Sequence, residues 1–179
     1  MNKKKENPKW IYDRKKDNSS RYTLGVGGNN FLICFGINPS TAEPNKLDNT
    51  VKSFERISKR HNFDGWLMLN VYPQRATNPN DMHEEFDKNL HTKNLFYIEK
   101  HFKNSKTKQV LAAWGTLINK RGYLKESLMD IHNLSKKYNC KWYCIGNVSK
   151  AGHPHHPLYL SNEETMKPFD LEKYIKSII

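Results

Sequence analysis

The sequence predicts an α/β fold: one three-layer α/β/α domain around a central, mostly parallel four-stranded sheet. Three observations carry that expectation. Short apolar runs alternate along the chain with longer segments of helical period, the order that lays helices on the faces of a parallel sheet. Trp66-Leu67-Met68-Leu69-Asn70-Val71 is apolar on successive residues, as a strand covered on both faces must be. Leu124, Leu128, Ile131, Leu134 and Tyr138 recur at intervals of three and four, the spacing of one buried helix face.

Taken in order, residues 1–19 form a basic, polar arm, mobile until Trp10, Ile11 and Tyr12 find a surface to cover, and residues 20–179 form the domain. Residues 22–26 and 31–37 read as two strands of a hairpin around Gly27-Gly28-Asn29-Asn30, which supplies the positive-φ positions a hairpin turn needs. Asp48-Asn49 caps a helix with Phe54 and Ile57 on one face and Asn62 and Gly65 at its end. After the strand at 66–71 come a long loop, 72–79, and a helix carrying Phe86, Leu90, Leu95, Ile98 and Phe102. A strand at 109–114 ends at Gly115, the helix of Leu124 follows, a strand spans 141–145, and a short helix at 171–178 closes the chain. No repeat and no second domain is evident.

Composition narrows the function classes. The formal net charge is +12 and the isoelectric point about 9.6, which predicts attraction to polyanions, nucleic acid first. Part of the excess sits in the arm, in Lys3, Lys4, Lys5, Lys9, Arg14, Lys15 and Lys16. Lysine-rich surfaces also arise from genomic composition, so charge alone names no partner. No apolar run approaches the roughly 20 residues that span a bilayer, and no signal-like apolar stretch follows the N-terminus. A cytoplasmic monomer without a membrane contact is therefore expected. Cys34, Cys140 and Cys144 read as buried free thiols rather than a disulfide framework. On one strand Cys140 and Cys144 stand about 13 Å apart.

Two proline-punctuated segments carry the chemistry. Gly36-Ile37-Asn38-Pro39-Ser40-Thr41-Ala42 follows one strand, and Gly152-His153-Pro154-His155-His156-Pro157-Leu158 follows another after a short loop. Proline fixes φ and takes the chain out of the sheet, so its polar neighbours are held rigidly, at the strand ends where open α/β sheets bind ligands. Asn38 can orient a water through its carbonyl oxygen or close an Asx-turn. Ser40 and Thr41 can hold a phosphate or cap the next segment. Asn70, polar at the end of an apolar strand, suits the edge of a nucleobase or locks the following turn. Trp114-Gly115 reads as wall. Three imidazoles within four residues invite a metal, yet no carboxylate pairs with them, and no metal or cofactor is expected. A histidine can instead donate to developing negative charge without any partner ligand. Neither a dinucleotide fingerprint, a P-loop nor a nucleophile elbow is present.

Together Asn38-Pro39-Ser40-Thr41-Ala42, Asn70…Arg75-Ala76-Thr77-Asn78-Pro79, Ala112-Ala113-Trp114-Gly115 and Gly152-His153-Pro154…His156-Pro157-Leu158-Tyr159-Leu160 resemble a bacterial and phage family of unknown function, over roughly residues 20–160. Their order is also similar to the uracil-DNA glycosylase superfamily, in particular its mismatch-specific branch. That resemblance implies a uracil-DNA glycosylase-like fold and hydrolysis of the N-glycosidic bond of a base flipped out of DNA, whether uracil, mismatched thymine or a modified pyrimidine. It implies that Asn38 positions the water, that Asn70 reads the pyrimidine edge, and that His153 or, given the extra histidine, His156 donates to the departing base. Gly36, Ile37, Pro39, Tyr72, Arg75 and Trp114 would line the base site, with Tyr72 and Tyr159 as candidates for the stacking aromatic. Ser40, Thr41, Ser149 and Lys150 would hold flanking phosphates. The family's wedge loop is not recognisable in residues 160–168. A nucleoside or nucleotide N-glycosidase and a non-catalytic nucleic-acid-binding protein are the alternatives.

Overall fold

The computed structural model describes residues 8–160 and 164–179; Lys3, Lys4 and Lys5 of the arm and residues 161–163 lie outside them. The strands are β1 (Trp10–Arg14), β2 (Arg21–Val26), β3 (Phe31–Gly36), β4 (Gly65–Asn70), β5 (Gln109–Ala112), β6 (Lys141–Ile145) and β7 (Met166–Pro168), and the helices α1 (Asn49–Arg60), α2 (Lys88–Asn104), α3 (Tyr123–Lys137) and α4 (Leu171–Ile178). All the strands join one sheet in the order β1-β2-β4-β3-β5-β6-β7.

That sheet has seven strands and mixed direction rather than four. The neighbours β4, β3, β5 and β6 are mutually parallel, while β1, β2 and β7 join antiparallel at the edges. The two outermost strands escaped the sequence for different reasons. In β7 only three residues pair, too few to show a period. In β1, Trp10, Ile11 and Tyr12 find their cover beside β2, where Trp10 meets Trp66 edge-on at 6.2 Å.

The hairpin expected between residues 22–26 and 31–37 does not form, because β4 lies between the two strands. Residues of β3 alternate between two cores, Ile33 and Phe35 facing one and Leu32 and Cys34 the other, and its two edges pair in parallel with β4 and β5. The glycine-rich segment is a bridge over the start of β4. Asn29 and Asn30 donate their backbone N–H groups to the Asp64 carboxylate at 3.1 and 2.7 Å. A Cβ on Gly65 would sit 2.6 Å from Val26 O and 2.8 Å from Gly28 N, so only glycine lets the two segments cross this closely.

Helices cover both sheet faces. Ile98 and Phe102 of α2, Leu124, Leu128 and Ile131 of α3, and Leu171 and Ile175 of α4 share the core of Ile33, Phe35, Leu67 and Leu69. On the opposite face Val51, Phe54 and Ile57 of α1 pack with Leu32, Cys34, Trp66 and Met68. Asp48 caps α1, its Oδ1 accepting from Val51 N at 2.9 Å. Asn62 follows that helix with φ 63°, while Gly65 opens β4 instead of ending the helix. Phe86 precedes α2, whose cap is Asp87. The buried face of α2 includes the polar residues His91, Asn94 and His101 beside Ile98 and Phe102. The thiols are free, with Cys34 buried and Cys140 pushed up to about 11 by burial. Among the described residues no helix is long and apolar enough to cross a membrane.

His101 makes acid stability measurable. Burial pushes its imidazole down to about 4 from 6.5, and its Nε2 has no partner. Because the folded value is depressed, the neutral ring contributes stability that is fully present above pH 6.5 and is lost as pH falls toward 4. The shift corresponds to about 3 kcal/mol. Urea unfolding at pH 7.5 and 4.5 should show a loss of that order, and His101→Leu should shrink it.

Candidate functional site

The parallel strands end side by side, and their carboxyl ends carry both proline segments. Gly36 is the register partner of Asn70. Beyond that pair the ladder continues, with Val71 N donating to Gly36 O and Tyr72 N to Ile37 O, both at 2.9 Å. Pro39 then stops β3 from pairing further, and Ala76 N donates to Pro39 O at 3.0 Å, which clamps the two loops together. At the other side Gly115 N donates to Pro154 O at 3.0 Å, fastening the histidine loop to the end of β5.

Between these loops and the start of α1 lies a cavity of about 140 Å3, lined by Arg21, Asn38, Asp48, Asn70, Trp114 and His156 among others. It is smaller than the roughly 300 Å3 usual for drug-sized ligands. Thr77, Pro79, Trp114, Leu117 and His156 also line a second, outer space of about 570 Å3. One cleft therefore has a narrow inner end and a broad mouth.

Asn70 sits at the inner end, 1 % exposed, and among the described residues neither its Oδ1 nor its Nδ2 has a hydrogen-bond partner. Gly36 keeps the space above it open, since a Cβ there would meet Asn70 Oδ1 at 3.3 Å and Met68 Cε at 2.8 Å. A buried amide with no partner costs about 1–3 kcal/mol, so a ligand or water that offers it both an acceptor and a donor is favoured. Asn38 is oriented by its nitrogen: Nδ2 donates to Ala76 O at 2.7 Å and to Pro39 O at 3.1 Å. Two carbonyl partners fix which end is nitrogen. Its Oδ1 has no protein partner among the described residues and is free to accept from a water.

The two histidines separate. His156 lines both parts of the cleft, and its Nδ1 accepts from Leu158 N at 3.4 Å, which leaves Nε2 to carry the proton. Burial lowers its pKa, with Asp48 opposing. His153 lines the outer space alone. Its Nδ1 is 2.8 Å from Tyr174 Oη on α4, and its Nε2 is 3.4 Å from Asn119 Nδ2. Trp114 Nε1 donates to the same Tyr174 hydroxyl at 3.1 Å. Burial again lowers the imidazole, with Lys125 adding to it. His153 thus pins the loop to α4 and the tryptophan wall.

Other expected residues divide in the same way. Gly36, Ile37, Pro39 and Ser40 line the inner cavity, and Ser40 Oγ donates to Thr77 Oγ1 at 3.1 Å. Ser149 lines the mouth, where its Oγ accepts from His153 N at 3.1 Å. Thr41 and Lys150 are exposed and line neither part. Tyr72 lies in the core, its hydroxyl 3.0 Å from His83 Nδ1 and its ring against Tyr123 and Phe86. It cannot stack on a base in this cleft, whereas Tyr159, 81 % exposed, stands at the mouth with its ring 5.8 Å from that of His156. Arg75 lies behind the 38–42 loop. Its guanidinium donates to Ser40 O, to Tyr12 Oη at 2.9 Å and to Ala42 O at 3.3 Å, so it braces that loop and does not line the cavity.

Sequence reasoning missed Arg21 and Leu117 as lining residues, placed Thr77 on the rim beside Asn70, and read Asp48 only as a cap. A lone arginine opening an apolar strand was the available signal for Arg21. Among the described residues no three His, Cys, Asp or Glu side chains gather as a metal ion would need.

No curated protein and no solved structure matches the chain. A family model described as "Protein of unknown function (DUF1643)" matches residues 21–158, which include both proline segments and every strand of the parallel core. By that match over most of its length, the chain belongs to the DUF1643 family.

Proposed function

We propose that this protein hydrolyses an N-glycosidic bond, releasing a base from nucleic acid in the manner of uracil-DNA glycosylases. The observation that carries the reading is Asn70, a fully buried amide with both polar atoms unpartnered at the inner end of a cavity of about 140 Å3. A pyrimidine edge offers the acceptor and donor that this amide lacks. Asn38 with its free Oδ1 and His156 with its free Nε2 line the same cavity, so water, base edge and leaving group each have a group to meet.

Cleavage breaks the bond between C1′ and the base nitrogen. The bonding pair leaves with the base, and positive charge develops on the sugar. Asn38 Oδ1 accepts from a water and directs its oxygen to C1′, while His156 donates from Nε2 to the base as negative charge accumulates there. One preorganised donor of this kind is worth roughly 3 kcal/mol. Water supplies hydroxyl to C1′, and its proton restores the neutral base. Ser40 and Thr77 at the inner rim and Ser149 at the mouth supply hydroxyls for flanking phosphates. Tyr159 offers an exposed ring for stacking on a neighbouring base.

The test is base release from labelled oligonucleotides bearing uracil, mismatched thymine or hydroxymethylated pyrimidines, single- and double-stranded, read by alkaline scission of abasic sites. Asn38→Ala should lower release by at least about 100-fold while melting as the wild type does. Tight, salt-sensitive binding with no release would favour a binder. Release only from free nucleotides would move the activity to a nucleotide N-glycosidase.

A further inference from the structure

Arg21 is the charged side chain in the cavity that the hydrolytic step leaves unused. The residue is 2 % exposed, yet it lines the inner cavity together with Asn70. Nη1 donates to Ala42 O at 3.1 Å, and Nε is buried without a partner. Arg75 donates to the same Ala42 carbonyl at 3.3 Å, so two guanidinium heads converge on one neutral oxygen. Burial first, and the charge of Arg75 second, push the Arg21 pKa down to about 10, and it stays protonated at neutral pH.

No carboxylate closes an ion pair with either arginine among the described residues. Asp48 lines the same cavity and its charge opposes the depression of the Arg21 pKa, but its Oδ1 is occupied by the cap bond to Val51 N. One carboxylate near two guanidiniums leaves a net positive charge, and the Arg21 part of it is almost wholly buried. Like charges brought together away from water are unfavourable unless an anion joins them. The amino end of α1 adds to the field, because Thr50 and Val51 line this part of the cavity and the helix dipole is positive there.

We propose that the inner end of the cleft is an oxyanion site, in which Arg21 binds a negatively charged oxygen of the ligand beside the edge read by Asn70. Two sources offer that chemistry: a pyrimidine ring carrying its negative charge on oxygen, and a phosphate group. The first deepens the glycosidase reading, because the departing base leaves with the bonding pair and Arg21 would hold that charge. The binding site itself does not rest on that reading.

The experiment is a titration followed by the Nε–H resonances of the arginines and by thermal stability. Its probes are barbiturate, a pyrimidine ring anionic at neutral pH, uracil, a neutral pyrimidine with one oxygen fewer, inorganic phosphate, and thymidine 5′-monophosphate. An anion is expected to shift the Arg21 Nε–H signal and to bind at least tenfold tighter than uracil. Arg21→Lys keeps the charge but removes the planar Nε donor, and should weaken binding at least tenfold. Asn70→Asp leaves Arg21 in place and sets a carboxylate in the cavity, and should abolish anion binding even where Arg21→Lys fails to fold. Preference for barbiturate assigns the site to the base anion; preference for phosphate or the monophosphate assigns it to a phosphate. The proposal is overturned if no anion moves the Arg21 signal, or if a folded Arg21→Lys binds as the wild type does. Anion binding without base release from any oligonucleotide would sink the glycosidase reading and leave the oxyanion site standing.

Discussion

Under the proposed glycosidase reading, His156→Ala is expected to lower base release by about 100- to 1000-fold and to leave thermal stability close to that of the wild type, whereas His153→Ala is expected mainly to destabilise the fold. The asymmetry follows from where each ring is bonded. His156 faces the cavity shared with Asn38 and Asn70, and its remaining protein bond is one long contact to Leu158 N. Removing it deletes a donor aimed at developing charge, the class of loss that costs two to three orders of magnitude. His153 is buried between Tyr174 and Asn119, and Tyr174 in turn bonds Trp114. Its loss leaves a buried hydroxyl short of a partner and loosens α4 from the histidine loop, an effect of about 2–3 kcal/mol. Single-turnover release and chemical denaturation of both variants separate the roles. A stable His153→Ala protein that releases nothing, beside an active His156→Ala, would reverse the assignment.

Asn70→Leu is expected to stabilise the protein while abolishing its function. Neither amide atom of Asn70 has a protein partner, and the apolar side chains of Met68, Val51 and Trp114 line the same cavity. Replacing an unsatisfied buried amide by a hydrocarbon of similar size removes a desolvation cost and adds apolar contact. A gain of about 1–2 kcal/mol, or roughly 2–8 °C in Tm, is the expected outcome, together with a fall in base release of at least about 100-fold. Such opposition between stability and activity marks a group kept for its ligand. A marked loss of stability in Asn70→Leu would mean that the amide serves the fold, and would remove the chief support for the base-binding role.

Most of the parallel core was legible in the sequence, because its signals are local. The unbroken apolar run of β4, the helical spacing of α3 and the capping aspartate of α1 each identify an element within a dozen residues. The hairpin failed for a non-local reason. Gly27 and Gly28 do permit a tight turn, but β4, a segment further along the chain, pairs with both β2 and β3 and so lies between them. The helix α2 was legible from Leu90, Leu95, Ile98 and Phe102, but burial of His91, Asn94 and His101 was not, since it depends on partners elsewhere in the chain, as where Asn94 Nδ2 donates to Asn70 O at 2.9 Å.

The site divides along the same line. Proline after a strand, an asparagine closing an apolar run and a cluster of imidazoles are covalent facts of the sequence, and they located Asn38, Asn70 and the histidine loop without any structure. Tertiary packing decided which of these side chains face one another. It turned His156 into the cleft and His153 toward Tyr174, placed Tyr72 in the core and Tyr159 at the mouth, set Arg75 behind the loop it braces, and brought Arg21 from the start of β2 to the cavity. Sequence determines backbone constraint and chemical type within a few residues. The direction of a side chain, and the company it keeps in a buried space, depend on contacts between separate segments of the chain, as in the bond from Asn38 Nδ2 to Ala76 O, whose partners are 38 residues apart.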